Sequence, residues 1–330
     1  MSDILNIGVL GFASIAERSI VPAILNLPER FNLVGIARRD REKALSVAKK
    51  FNLRKQFSYE SLLEEPVVNA VYVPLPNALH NEWINKSLDK GLHVLVEKPL
   101  ACDFDQVNAL TEIAASRNLA LVENFQFRFH PQFKKLLELI SQESIGTIRY
   151  LNSTFAFPPL DLSNNIRYVK KLGGGSLLDA GTYPLKICNL LMGGSLRVCS
   201  AALNFKDDHE VDLWGSAHLL STETLASAHV TFGFDNVYRC CVEVCGSKGR
   251  VLAERIFTAP PNYSPVLDLY DSTGKFTRFD IAPANHFELI LEHFHRACFD
   301  NKLRQAEYKQ NLEQSFLVQS VLENSVTLGI

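Results

Sequence analysis

The stretch that decides the fold is Ile4–Ala16, which reads ILNIGVLGFASIA and passes from an apolar run to a helical pattern at Gly11. An apolar run of this length, Ile4–Leu10, predicts a buried strand. The apolar spacing that continues through Ile20 and Ile24 predicts a helix. A strand joined to a helix by a glycine turn is the first part of a βαβ unit.

The chain then repeats this alternation of strand and helix. The predicted strands are Phe31–Ala37, Ala70–Pro74, Gly91–Val96 and Leu119–Glu123, and the predicted helices are Arg41–Phe51, Asn77–Leu88 and Asp103–Ser116. Strands separated by helices form a parallel sheet with right-handed crossovers. Ligands of such sheets bind at the carboxyl ends of the strands.

The pattern changes after about Asn124. A predicted helix at Pro131–Ile140 is followed by alternating apolar and polar runs at Tyr150–Phe157, Arg197–Phe205, Val211–Leu220, Ala226–Phe234 and Tyr238–Cys245, and a last helix spans Leu303–Leu328. Alternation without intervening helices indicates a largely antiparallel sheet. We therefore expect an α/β domain over residues 1–124 and an α+β domain over residues 125–330.

The composition is that of a globular protein, with 330 residues, 47% hydrophobic residues, 21% charged residues and a net charge of −2. This balance argues against nucleic acid as the main partner, because no excess of cations is present to neutralise phosphates. No apolar run reaches the ~18 residues of a membrane span, so a soluble protein is expected. The 7 cysteines and an N-terminus without the pattern of a signal peptide favour a reducing cytoplasm.

The turn after the first strand lies where a Rossmann fold carries the glycine fingerprint of a dinucleotide site, with Ala13 and Ala16 in place of the second and third glycines. Gly11 permits the tight turn, and Ala13 is small enough for a pyrophosphate to approach the helix N-terminus. Taken alone, these residues favour a plain βα turn. Arg38 and Arg39 follow the second strand, where arginine accommodates the 2′-phosphate of NADP. The alternative is a pair of solvated surface arginines, but the turn before them favours NADP.

Glu97-Lys98-Pro99 follows the fourth predicted strand directly, at the edge of the sheet where a nicotinamide ring would lie. Lysine is rare at a strand end beside an apolar core unless it has a partner. Pro99 favours an unusual backbone geometry, such as a cis peptide, that aims the lysine. The alternative is a strand that ends in solvated charges.

Several motifs occur in a fixed order along the chain. They are PLPNALH at Pro74–His80, EKP at Glu97–Pro99, ENFQFRFHP at Glu123–Pro131, IRY at Ile166–Tyr168 and GGGSLLDAGTYP at Gly173–Pro184. In order and spacing they resemble the Gfo/Idh/MocA oxidoreductase family over most of the chain. Many members carry histidine where this chain has Tyr183. In having a tyrosine at this position, the chain resembles the branch of the family that contains glucose–fructose oxidoreductase, dihydrodiol dehydrogenases and nucleotide-sugar 3-ketoreductases.

The resemblance implies a Rossmann domain followed by an α+β domain with an open-faced, mainly antiparallel sheet that binds substrate and forms oligomers. It also implies that Lys98, Tyr183 and Asp179 are catalytic. Hydride transfer to a ketone creates an alkoxide, which needs a proton donor and a nearby cation. The phenol of Tyr183 supplies the proton, and the ammonium of Lys98 favours the phenolate. Tyr183 alone also fits a tyrosine that anchors a helix, whereas Lys98 and Tyr183 together favour catalysis.

The expected cofactor is NADP(H). Its expected contacts are Gly11, Phe12, Ala13, Ser14, Ile15, Arg38, Arg39, Leu75, Asn77, His80, Glu97, Lys98 and Asn124. For His80 the alternative is that it caps its helix. The remaining histidines do not predict a metal site, since His293 and His295 point to different faces of a helix.

The candidate substrate residues are Arg128, His130, Arg167, Tyr168 and Tyr183. Arginines beside aromatic residues suit a sugar-linked diphosphate, because guanidinium forks match phosphate oxygens. For Arg128 and His130 the alternative is helix capping and packing between domains. The segment Phe257–Tyr263 is either the rim of a pocket or an ordinary connector.

These features predict an NADP(H)-dependent oxidoreductase that acts on a small-molecule sugar or nucleotide-linked keto-sugar and works as a homodimer or homotetramer. The first alternative is an aldose or trans-dihydrodiol dehydrogenase of the same family. The second is a non-catalytic, dinucleotide-sensing regulator. The presence of Lys98 and Tyr183 favours an enzyme, because a sensor needs neither a proton donor nor an alkoxide-stabilising cation.

Overall fold

The structure is a computed structural model that describes residues 4–53, 57–161, 165–206 and 209–328. Two compact units make up the chain. The first comprises Met1–Asn124 and Phe287–Leu312, and the second comprises Phe125–His286 and Glu313–Ile330.

The first unit contains a five-stranded parallel sheet in the order β2-β1-β3-β4-β5. Its strands are β1 (Leu5–Leu10), β2 (Phe31–Ala37), β3 (Ala70–Val73), β4 (His93–Val96) and β5 (Leu121–Glu123). The helices between them are α1 (Val21–Leu25), which continues a π-helical turn at Ala16–Ile20, α2 (Arg41–Lys50), α3 (Tyr59–Leu63), α4 (His80–Asp89) and α5 (Phe104–Ser116). Every residue of β3 is buried, as expected for a parallel strand that helices cover. The predicted Rossmann domain is confirmed.

The first unit also receives Phe287–Leu312, a segment that the sequence analysis placed in the second domain. The segment contains most of α8 (His286–Phe299) and the first half of α9 (Asn301–Glu323). The Tyr308 hydroxyl donates to the Leu119 carbonyl at 2.5 Å, and the Asn311 side-chain amide donates to the Leu121 carbonyl at 3.0 Å. Buried carbonyls need donors, and these two side chains supply them at the start of β5.

The second unit contains a nine-stranded sheet in the order β13-β12-β11-β10-β6-β9-β8-β7-β14. Its strands are β6 (Ile148–Ala156), β7 (Leu196–Asn204), β8 (Trp214–Ser221), β9 (Ser227–Gly233), β10 (Arg239–Gly246), β11 (Gly249–Glu254), β12 (Val266–Asp271), β13 (Phe276–Asp280) and β14 (Ser325–Leu328). The pairs β6–β9 and β7–β14 are parallel, and the others are antiparallel.

Helices α6 (Pro131–Ser141) and α7 (Thr182–Met192) pack on one face of this sheet. On the opposite face, Asn152, Ser216 and His229 are exposed on neighbouring strands. This arrangement follows from the alternation of apolar and polar residues along the strands. The predicted open-faced, mainly antiparallel sheet is confirmed.

The last predicted helix, Leu303–Leu328, is too long at its carboxyl end. The structure ends α9 at Glu323 and pairs Ser325–Leu328 with β7 as the parallel strand β14. Local sequence could not decide this, because Val326 and Thr327 take up strand geometry when an open sheet edge offers them backbone partners. No helix within the described residues is long and apolar enough to cross a membrane.

Candidate active site

The carboxyl ends of the first unit's strands carry most of the predicted cofactor residues. Gly11 follows β1, Arg38 follows β2, Leu75 lies just after β3, Glu97 follows β4 and Asn124 follows β5. The chain crosses from one side of β1 to the other between β2 and β3, and a ligand of an open parallel sheet binds at such a switch point.

The turn after β1 requires glycine. Gly11 has a φ of +101°, and a Cβ atom at this position would lie 2.7 Å from Leu75 Cδ2. Its backbone N–H donates to the Ala37 carbonyl at 3.0 Å, which joins the ends of β1 and β2. Phe12, Ala13 and the residues after them return to the surface, where Ser14 is exposed.

The two arginines after β2 take different directions. The Arg38 guanidinium lies 5.5 Å from the centre of the Phe12 ring, and Phe12 in turn packs edge-on against Phe51 at 5.8 Å. Arg39 lies beside Tyr59. Burial raises the pKa of the Tyr59 phenol, and the nearby positive charge of Arg39 partly offsets that rise. Arg38 therefore extends the turn that begins at Gly11.

Asp40, the first acidic residue after β2, is used by the helix that follows. Its Oδ1 accepts the backbone N–H of Glu42 at 3.1 Å, as an N-terminal cap does. The end of β2 thus presents the Arg38–Phe12 pair at its ligand-facing edge. A small-residue turn, a helix N-terminus and a guanidinium fit the diphosphate and 2′-phosphate of NADP.

The Glu97-Lys98-Pro99 segment is fixed on both sides of the lysine. Glu97 Oε1 accepts the Tyr72 hydroxyl at 2.6 Å and the Asn124 side-chain amide at 2.5 Å. The Lys98–Pro99 peptide bond is cis. Lys98 itself is half-buried at this edge of the sheet.

His80 lies beneath this segment. The ring is fully buried, with Nδ1 2.8 Å from the Pro99 carbonyl and Nε2 2.8 Å from the Leu75 carbonyl. Burial lowers the pKa of His80, although two carbonyl neighbours favour the protonated ring. Asn77 opens the short helical turn that leads into α4. His80 therefore joins the loops after β3 and β4 and acts as a positioning residue.

In the second unit, Tyr183 stands in α7 among aromatic rings. Its ring centre lies 5.5 Å from that of Phe125, 6.2 Å from Phe127, 5.0 Å from Phe155 and 5.5 Å from Phe257. The residue is 7% exposed. An apolar surround of this kind orients the phenol and keeps bulk water away from it.

The predicted helix face with Asp179 and Tyr183 begins irregularly, as Gly181 and Pro184 suggest. A π-helical turn at Leu177–Gly181 precedes α7. Arg167 Nε contacts Asp179 Oδ2 at 2.6 Å. The charges of Asp179 and, to a smaller degree, Tyr183 raise the pKa of Arg167, which places the phenol near the ion pair.

Asp212 is a site residue that the sequence analysis missed. Its Oδ2 accepts the Ser176 hydroxyl at 2.6 Å and the Leu177 N–H at 2.7 Å, and the Ser176 N–H donates to its backbone carbonyl at 2.8 Å. Asp212 thus holds the start of the turn that carries Asp179. The available signal was a carboxylate inside the apolar run Val211–Leu220.

The remaining predicted substrate residues make hydrogen bonds of their own within the second unit. His130 is 1% exposed, and its Nδ1 accepts the Gln132 N–H at 3.1 Å, so it caps α6. Arg128 is 8% exposed and donates to the Phe125 carbonyl at 3.3 Å. The Tyr168 hydroxyl accepts the Leu160 N–H at 3.1 Å. Of this predicted set, the structure groups Arg167 with Tyr183, while His130 takes the capping role given above as its alternative.

Comparison with known proteins identifies the family. The Gfo/Idh/MocA model, an oxidoreductase family with an NAD-binding Rossmann fold, matches residues 5–125, and the model of the family's C-terminal domain matches residues 133–252. A dTDP-3,4-didehydro-2,6-dideoxy-alpha-D-glucose 3-reductase from Actinomadura kijaniata is 35% identical over 96% of this chain and 94% of its own length. This chain belongs to the Gfo/Idh/MocA oxidoreductase family.

A solved structure and a second curated relative extend the comparison. The crystal structure of KijD10, a 3-ketoreductase from Actinomadura kijaniata in complex with NADP and TDP-benzene, matches with a TM-score of 0.94 and 33% identity over 99% of this chain and 100% of that chain. A D-xylose 1-dehydrogenase (NADP(+)) from Haloferax volcanii is 30% identical over 97% of this chain and 97% of its own length. No cluster of metal-ligating side chains occurs in this family member's described residues.

Proposed function

We propose that this chain is an NADP(H)-dependent oxidoreductase that transfers a hydride to or from a sugar, with a nucleotide-linked keto-sugar as the preferred substrate. The observation that carries the proposal is the full-length likeness to a dTDP-keto-sugar 3-reductase, which covers 96% of this chain. The phenol of Tyr183 also supports the proposal, because aromatic rings enclose it and it can donate a proton in such a reaction.

The proposed cofactor-binding residues are those at the carboxyl edge of the parallel sheet. The turn Gly11–Ile15 would hold the diphosphate, and Arg38 would hold the 2′-phosphate with its guanidinium beside the adenine. Leu75, Asn77 and the Glu97–Lys98 segment would line the edge nearer the nicotinamide. When bound, the reduced nicotinamide supplies the hydride.

The proposed reaction needs one proton and one source of positive charge from the protein. As the carbonyl carbon of the substrate gains a hydride, its oxygen becomes an alkoxide. The ammonium of Lys98 stabilises this negative charge, and the Tyr183 hydroxyl donates its proton to complete the alcohol. The Arg167–Asp179 ion pair, 2.6 Å long, orients the turn before Tyr183.

A second candidate is oxidation of a free aldose with NADP⁺. The D-xylose 1-dehydrogenase among the relatives, 30% identical over 97% of this chain, favours it. The same proton-transfer residues serve both directions, because the reaction is reversible.

The two candidates separate in a spectrophotometric screen. The purified protein is mixed with NADPH and dTDP-linked keto-sugars, and separately with NADP⁺ and free aldoses or trans-dihydrodiols. Rapid NADPH oxidation with the nucleotide-linked substrates supports the proposal, and turnover of free aldoses alone supports the second candidate. Tight NADPH binding with no turnover of any substrate would contradict both and indicate a dinucleotide sensor.

We further propose that the protein works in the cytoplasm as a homodimer or homotetramer. The unpartnered face of the nine-stranded sheet supports self-association, since Tyr150 on β6 is 43% exposed there. The buried thiols of Cys240 and Cys241, free although adjacent, suit a reducing compartment. Analytical ultracentrifugation tests the assembly, and a monomer at every concentration would contradict it.

A further inference from the structure

An arginine flanked by two tyrosines directly follows strand β11. The Arg255 guanidinium lies 5.0 Å from the centre of the Tyr238 ring and 5.4 Å from that of Tyr263. Both tyrosines are 37% exposed, so solvent reaches the cluster. Arg255 has a φ of +55°, and its N–H donates to the Cys240 carbonyl at 2.5 Å. Left-handed backbone at a bulky residue is uncommon and concentrates at binding sites.

The positive charge of Arg255 has no acidic partner among the residues that the structure describes. Two other arginines of this unit that pack on rings have carboxylate partners. Arg278 lies 5.6 Å from the Phe276 ring and contacts Asp268 at 2.7 Å, and Arg250 lies over Tyr270 and contacts Glu243. Arg255 is therefore a half-buried cation without a carboxylate partner, and its guanidinium N–H groups can donate to an anion.

The cluster is connected to Tyr183 within the second unit. Phe257, two residues after Arg255, packs its ring 5.5 Å from Tyr183, and two residues of chain span at most about 7 Å. The Tyr238 hydroxyl and Thr258 Oγ1 are 2.9 Å apart, which ties the end of β10 to the same segment.

Strand register places Tyr238 on the face that carries Tyr183. Cys240 pairs with Phe155, whose ring lies 5.0 Å from Tyr183. Side chains two residues apart on an extended chain point to the same face. The Tyr238 side chain therefore lies on the same face of the sheet as that of Cys240, just before β10 begins and closer to solvent.

We propose that Arg255, Tyr238 and Tyr263 form the subsite for the nucleoside diphosphate of the substrate. The guanidinium binds the diphosphate, since its planar fork matches phosphate oxygens, and the tyrosine rings pack against the base and its sugar. The inference rests on the proposed function, because it assigns the part of the substrate that lies beyond the reacting sugar. Arg167 is less suited to this role, because Asp179 already neutralises its charge.

Calorimetric titration of the NADP-loaded protein with dTDP, thymidine and inorganic diphosphate tests the subsite. Arg255→Ala is expected to weaken dTDP and diphosphate binding at least about tenfold and to leave NADP affinity unchanged. Arg255→Lys keeps the charge and should retain part of the affinity. Tyr263→Leu should weaken dTDP and thymidine but not diphosphate. Arg278→Ala, which removes a ring-packed arginine elsewhere in the unit, is the matched control.

Steady-state kinetics supply the readout that a purely structural role would not move. Arg255→Ala should raise KM for a nucleotide-linked keto-sugar about tenfold or more while kcat stays close to that of the unmodified protein. If circular dichroism shows that Arg255→Ala does not fold, the same binding and kinetic measurements are made on Arg255→Lys and Tyr263→Leu instead.

The outcomes distinguish the subsite from the proposed function. Unchanged dTDP affinity in Arg255→Ala overturns the subsite, and reduction of keto-sugars by the same preparation leaves the function standing. If dTDP binding depends on Arg255 but none of the sugars tested leads to NADPH oxidation, the subsite is supported and the proposed function is overturned. Reduction of free keto-sugars by a protein that binds no dTDP overturns the subsite and the preference for a nucleotide-linked substrate, and leaves the sugar oxidoreductase standing.

Discussion

Arg167 Nε lies 2.6 Å from Asp179 Oδ2, and this contact joins the short helical turn at Ile166–Tyr168 to the π-helical turn before α7. The Asp179 side chain is 15% exposed, whereas that of Arg167 is 40% exposed. The carboxylate is thus held as the partner of a cation. In the proposed reaction, proton donation is left to Tyr183, one helical turn further along the chain.

Breaking this ion pair should lower activity without abolishing it. Asp179→Asn and Arg167→Met each disturb the turn that positions Tyr183, so we expect kcat to fall roughly tenfold, or about 1.4 kcal/mol in barrier height. The double variant should lose little more than either single one, because both remove the same contact. Strictly additive losses in the double-mutant cycle would contradict the coupling. Arg117→Ala, which breaks an exposed pair with Asp89, is the control.

Tyr183→Phe should reduce kcat by about 10²–10⁴-fold, the usual contribution of a positioned general acid. The ring and its packing against Phe155 and Phe257 remain, so the affinity for NADPH should not change. Stopped-flow turnover and fluorescence titration measure the two quantities separately. A kcat close to that of the unmodified protein would remove Tyr183 from the role of proton donor.

Arg38→Ala should remove the preference for NADPH over NADH. Loss of charge-assisted contacts to the 2′-phosphate costs about 1.5–3 kcal/mol, or roughly 10- to 100-fold in affinity. NADH affinity should change little, and Arg39→Ala should have a smaller effect, because Arg39 lies beside Tyr59. Equal NADPH and NADH affinity in the unmodified protein would contradict the assignment of the cofactor.

Stability should fall as the pH drops from neutrality toward about 5. Burial lowers the pKa of His93 to about 4 and that of His286 to about 3. Both are neutral in the folded protein, while the unfolded chain binds protons below about 6.5. Stability is therefore complete above that pH and is lost below it, by about 2 kcal/mol for each histidine at pH 5.

Urea unfolding at several pH values measures this loss. His93→Asn removes one titrating group and keeps an acceptor for the Ala120 N–H, which His93 Nδ1 accepts at 2.9 Å. The variant should therefore show a shallower pH dependence than the unmodified protein. Identical slopes would contradict the assignment of His93 as a neutral buried ring.

Local patterns were sufficient to predict the five strands of the first unit in order and four of the helices between them, but not α3 or the segment Phe287–Leu312. Gly11 and Lys98 were predicted as site residues because each stands just after a strand, and Tyr183 because its motif resembles that of a known family. His80 and His130 show where such patterns stop. Sequence suggested a ligand contact or a helix cap for each of them. The His130 ring does cap α6, whereas the His80 ring contacts the Pro99 and Leu75 carbonyls, which neither alternative described.

The sequence by itself determined the alternation of strands and helices, and hence the sheet edge where a dinucleotide would bind, because hydrophobic periodicity is local. Only the tertiary structure decided which distant residues meet. Asp212 caps the turn at Ser176, and Arg255 lies between Tyr238 and Tyr263. These contacts depend on strand register and on chain segments far apart in sequence, which no local pattern encodes.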